Sequence, residues 1–122
     1  VAALSAGRLD LIRTAMRDRL HQPYRAQLIP GMSSILANAA KHGALGAALS
    51  GAGPTIITFV DGSSSASSKA ELERFLLDTL AAEGIEAETM WLPPYQHGAV
   101  WTKLDEHDKT PLMDLIRSEV RA

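Results

Sequence analysis

At 122 residues, with 46% hydrophobic and 21% charged side chains, the chain suits one domain with a modest core. A net charge of −2 and an isoelectric point near 6.1 supply no positive field for nucleic acid or for an anionic membrane surface. The lack of cysteine excludes disulfides and thiolate metal sites, and no apolar stretch approaches the roughly 20 residues of a membrane span. The N-terminus lacks the basic, apolar, small-residue order of a signal peptide, so the expected location is cytoplasmic. The chain runs from Val1 straight into a helical pattern, as expected of a piece of a longer protein.

The first predicted element is a helix capped by Ser5 and running to about Arg19. Leu9, Ile12 and Met16 lie on its apolar side, and Arg8, Asp10, Arg13 and Arg17 on the other, where they read as a solvated face. Pro23 ends any helical continuation, because the residue before a proline disfavours the α region. Residues 21–27 then form a polar loop centred on Tyr24 and Arg25. Pro30 stands near the start of a second helix, whose apolar face carries Met32, Ile35, Leu36, Ala39 and Ala40 and whose stop is Gly43. The run 43–49 is so rich in Ala and Gly that periodicity cannot separate strand from helix. The residues that follow favour strand.

Those residues are Leu49-Ser50-Gly51-Ala52-Gly53-Pro54-Thr55, ahead of the β-branched run 55–60. The stretch must bend sharply, because Gly51 and Gly53 accept positive φ and Pro54 fixes its own. Bare glycines also let other backbone or a phosphate approach closely. A Walker loop would need Lys and then Ser or Thr after its last glycine, where Pro54 and Thr55 stand. A dinucleotide loop would need to open a helix, whereas residues 55–60 read as a strand. Both fail, and on these residues alone a tight hairpin turn is the plain reading.

Residues 61–68 form a serine-rich exposed loop, and Ser68-x-x-Glu71 has the form of a capping box. The helix it opens buries Leu72, Phe75, Leu76 and Leu80 and ends at Gly84. Residues 85–92 read as a strand alternating through Ala87, Thr89 and Trp91, stopped by Pro93 and Pro94; residues 98–101 form a short last strand. Thr110 caps a final helix, started by Pro111, with Leu112, Leu115, Ile116 and Val120 as its stripe. Trp91 and Trp101 take β positions and read as core or interface residues. The element order predicts an α+β fold, a small antiparallel sheet covered by helices.

Among side chains that could work, Arg25 stands out. It lies between Pro23 and Pro30, where backbone freedom is restricted, and a planar guanidinium holds a carboxylate through two parallel hydrogen bonds. The alternative is an arginine that pins the loop to a helix C-terminus or an acidic neighbour. His21 reads as a hydrogen-bonding loop anchor, with a direct role less expected. The four histidines, His21, His42, His97 and His107, share no metal-ligand spacing, so no metal site is expected.

In order along the chain stand Asp18-x-x-His21-x-Pro23-x-Arg25, then Ile29-Pro30-Gly31, a helix, and the glycine stretch. This set, over residues 1–101, resembles the C-terminal half of the homoserine kinase family within the GHMP small-molecule kinase superfamily. The glycine stretch resembles that superfamily's third motif. The resemblance implies a ferredoxin-like α/β sandwich over 1–101, with 102–122 as an extension carrying the terminal helix. It implies that Arg25 holds the carboxylate of L-homoserine, and that Ser50, Gly51, Ala52 and Gly53 abut the phosphate region and the substrate hydroxyl. It implies a parent that uses ATP and Mg²⁺ in threonine biosynthesis.

The family's Gly-Leu-Gly-Ser-Ser-Ala loop and the acidic residue accompanying its Mg²⁺ have no match here. The chain alone is therefore expected to bind neither ATP nor metal, to be inactive, and to need an absent N-terminal ATP-binding domain. Apolar surface where that domain would pack leaves a homodimer open. Two alternatives stand beside this reading: a separate ferredoxin-like ligand-binding or regulatory domain, or a GHMP kinase with another acceptor such as mevalonate or shikimate.

Overall fold

The computed structural model describes residues 1–94. The predicted strand 98–101, the helix 110–121, Trp101, His97, His107 and the boundary at 101/102 lie outside the described residues. Val1–Thr89 forms one compact unit, and residues 90–94 of the second carry no regular structure.

The predicted first helix is broken. It consists of α1 (Ala2–Ser5), a 3₁₀ turn (Leu9–Leu11) and α2 (Ile12–Ala15), and Ser5 closes α1 instead of capping a helix. The break is at Gly7, whose φ of +64° lets the Arg8 N–H return to the Ala3 carbonyl at 2.8 Å. The apolar stripe survives the break, with Ile12 buried and Leu9 and Met16 half-buried.

The predicted loop 21–27 is also helical, as α3 (Gln22–Arg25) and a 3₁₀ turn (Ala26–Leu28). Pro23, read as a stop, sits in the first turn of α3, where its missing N–H costs nothing and its fixed φ favours the helix. Next, α4 (Met32–Asn38) continues into a 3₁₀ turn (Ala39–His42) that ends at Gly43, as the sequence indicated. Met32, Ile35 and Ala39 are buried, and Leu36 and Ala40 half-buried.

The ambiguous Ala/Gly run becomes β1 (Gly46–Leu49), antiparallel to β2 (Ile56–Phe59), with Gly46 opposite Phe59 and Leu49 opposite Ile56. Small residues are needed here because α2 passes close by. A Cβ at Gly46 would meet Met16 Sδ at 2.7 Å and the Arg13 Cα at 3.4 Å.

Last comes α5 (Ala66–Ala82), which begins before the predicted capping box. Its N-cap is Ser65, whose Oγ accepts the Ser68 N–H at 3.2 Å; Ser68 and Glu71 lie inside the helix. Leu72 is buried with Ile35, Ala39 and Ala44, and Ala47, Ile56, Val60, Phe75, Leu76 and Leu80 pack against them. This cluster joins α4, α5 and the sheet into an α+β fold. His42 stacks on Phe75 with ring centres 4.0 Å apart, adding a second tie between the 3₁₀ turn and α5.

The predicted strand 85–92 does not form, and among the described residues β1 and β2 pair only with each other. Alternation can specify a strand's faces but not provide the neighbouring edge that a ladder requires. Trp91, expected in a core or interface, is 45% exposed.

Candidate functional site

The glycine stretch is the turn between β1 and β2. Ser50 N–H donates to the Thr55 carbonyl at 2.8 Å and Gly53 N–H to the Ser50 carbonyl at 3.1 Å. Gly51 and Gly53 have φ of +60° and +84°, so both occupy the left-handed region that the sequence required. They differ in surroundings. Nothing lies within 4 Å of a Cβ built at Gly51, whereas one at Gly53 would meet Leu49 Cδ1 at 2.8 Å and Ile29 Cδ1 at 3.0 Å. The turn is thus packed on the Gly53 side and open at Gly51. Ser50, Gly51 and Ala52 are exposed.

Arg25 reaches this turn. Its Nη1 donates to the Gly51 carbonyl at 2.9 Å, joining residues 26 positions apart in the chain. Arg25 is exposed and forms no ion pair with any described acidic residue. A guanidinium carries five N–H donors, and the bond to Gly51 uses one. The remaining edge has the charge and fork geometry to hold a carboxylate. Arg25 therefore pins the turn's carbonyl while no described acidic residue neutralises its charge.

The backbone that carries Arg25 is set by Asp18. One carboxylate oxygen accepts the Leu20 N–H at 2.7 Å and the other the Gln22 N–H at 2.9 Å, and both lie 3.2 Å from the His21 nitrogen. These bonds satisfy amides at the start of α3 that have no partner within the helix. The Leu20 amide above all, then those of Gln22 and His21, and His21's charge hold the Asp18 carboxyl below the usual carboxylate range. His21 contributes its backbone N–H; its ring is exposed and makes no hydrogen bond with described residues.

A second link runs from α3 to the hairpin, where Gln22 Oε1 accepts the Leu49 N–H at 2.9 Å. Asp18 belonged to the sequence motif without an assigned role. The N-cap of α3 is His21, so Asp18 lies ahead of the position where a helix-start signal is read and had no plain local cue. Gln22 had no local signal, because its partner lies 27 residues downstream.

A cleft of about 650 Å³ is lined by Arg13, Arg17, Gln22, Leu36 and Gly46 among others, and includes neither Arg25 nor the glycine turn. Among the described residues no three His, Cys, Asp or Glu side chains come together as a metal site, and no helix is long and apolar enough to cross a membrane.

The family described as GHMP kinases C terminal matches residues 1–77. The homoserine kinase of Deinococcus radiodurans is 48% identical over 99 residues, covering 81% of this chain and 31% of that protein. That of Moorella thermoacetica is 43% identical over 100 residues, covering 82% and 32%. A crystal structure of homoserine kinase from Cytophaga hutchinsonii superposes with a TM-score of 0.60 at 31% identity, covering 70% of this chain and 26% of that one. The chain thus spans about a third of the length of the curated relatives it matches.

Proposed function

The chain belongs to the GHMP kinase C-terminal family, and from that membership we propose that it is the substrate-binding C-terminal region of a homoserine kinase. The parent enzyme transfers the γ-phosphoryl group of ATP to the side-chain hydroxyl of L-homoserine. The supporting observation is the bond from Arg25 Nη1 to the Gly51 carbonyl, which sets a cation with no acidic partner among the described residues beside an open turn. Arg25 takes the homoserine carboxylate through its free N–H groups. Ser50, Gly51 and Ala52 form the floor beneath the rest of the amino acid, where the absent side chain at Gly51 leaves room.

Mg²⁺ in phosphoryl-transfer sites is held by one or two carboxylates together with the phosphates of the nucleotide. Phosphoryl transfer depends on positioning and on charge stabilisation of the transferring group. The Gly-Leu-Gly-Ser-Ser-Ala loop and the metal's acidic residue have no match in this sequence, so the reading assigns the nucleotide and its metal to other parts of the parent and expects this chain alone to be inactive.

An acceptor screen on the purified full-length parent tests this reading. With ATP and Mg²⁺, homoserine is phosphorylated, while mevalonate and shikimate are not. Turnover of another alcohol with none of homoserine would replace the acceptor, and turnover by the isolated chain would refute its assigned dependence.

A further inference from the structure

Resting on that reading, we propose that Gln22 is a positioning residue for homoserine: its side-chain carbonyl fastens the helix carrying Arg25 to the strand carrying the glycine turn.

A four-residue helix cannot hold itself in place, since a single turn does not offset the cost of nucleation. Asp18 caps α3 from the same local segment, so that cap travels with the helix. Two side-chain bonds carry α3 across to the hairpin, Gln22 to Leu49 and Arg25 to Gly51. Residues three apart share a helix face, so Gln22 and Arg25 reach the hairpin side by side, one at the Leu49 N–H that ends β1 and the other at the Gly51 carbonyl in the turn.

The two attachments are unequal. Arg25 sits at the end of a long side chain, and its guanidinium must also answer to the bound acid. Gln22 makes no such compromise. Its partner is equally committed: Ser50 N–H bonds Thr55 across the hairpin, so the alternating ladder turns the Leu49 N–H away from β2. Without Gln22 that half-buried donor loses its partner. Gln22 thus satisfies the strand edge and fixes the distance between the cation and the turn.

Steady-state kinetics of the full-length parent test this with Gln22→Met, which keeps the length of the side chain and removes the acceptor. The expected result is a rise of about tenfold in the KM for homoserine, the size of one broken part-buried hydrogen bond. The KM for ATP stays within about twofold, as a local positioning role requires. Gln22→Glu retains an oxygen at the same reach but sets a negative charge one turn from Arg25, so its readout is the Leu49 amide and not the homoserine KM. Amide exchange at Leu49 should accelerate in Gln22→Met and not in Gln22→Glu. If Gln22→Met fails to fold, Gln22→Asn, too short to reach Leu49, carries the same expectation. An unchanged homoserine KM, or equal rises for both substrates, would overturn the role of Gln22 while leaving the homoserine reading intact. A wild-type parent inactive on homoserine would overturn both.

Discussion

Substituting alanine at Gly53 and at Gly51 separates two costs that the glycine turn combines. Both residues have φ in the left-handed region, where an L side chain costs roughly 1–2 kcal/mol, so that term is shared. Only Gly53 is crowded, with Leu49 Cδ1 at 2.8 Å and Ile29 Cδ1 at 3.0 Å from an added Cβ. Overpacking typically costs about 1–3 kcal/mol. The crowding atoms are side-chain ends that can yield part of the way, which favours the lower half of that range. Gly51→Ala should therefore cost about 1 kcal/mol and Gly53→Ala about 2–3 kcal/mol. In equilibrium urea unfolding, with a slope near 1–2 kcal/mol per molar, the two midpoints should differ by about 1 M. Equal midpoints, or Gly51→Ala as the worse variant, would refute the distinction between the packed and open sides of the turn.

Other substitutions probe the elements that carry the turn. Ser65→Ala should cost about 1 kcal/mol through loss of the α5 cap, while Glu71→Ala should stay within about 0.5 kcal/mol; thermal unfolding of both variants checks this. Leu72→Ala, at a fully buried position, should cost about 2–5 kcal/mol, against less than about 1 kcal/mol for Ile57→Ala, which is 43% exposed. Asp18 has a folded-state pKa below its ordinary value, so its stabilising contribution is present above the ordinary carboxylate range and is lost as pH falls through the lower folded value. NMR titration should show the Leu20, His21 and Gln22 amides shifting together with the Asp18 carboxyl, below the pH at which an unperturbed aspartate titrates. Titration at the ordinary value would remove the capping role.

The core was legible because burial follows periodicity. Met32, Ile35 and Ala39 recur at helical spacing, and Leu72 lies on the apolar face of a long amphipathic helix. Helix limits were harder to read, because several residue types serve either side of a boundary. Two serines, Ser65 and Ser68, could each cap α5, and Pro23 fits a stop as well as a start. The strand expected at 85–92 failed for a different reason: its pattern is internal, but a ladder depends on a partner elsewhere. At the candidate site, the ordered motifs singled out Arg25 and the glycine turn, and their meeting across 26 residues is a product of the fold. Gln22 was invisible for the same reason, because nothing near it in sequence marks Leu49 as its partner.

Calorimetry of L-homoserine binding to the full-length parent and to its Arg25→Ala variant tests the carboxylate clamp most directly. Losing a bidentate, charge-assisted contact should weaken homoserine binding by at least about tenfold and leave ATP affinity within about twofold. Unchanged homoserine affinity in Arg25→Ala would contradict the clamp, however close the guanidinium lies to Gly51.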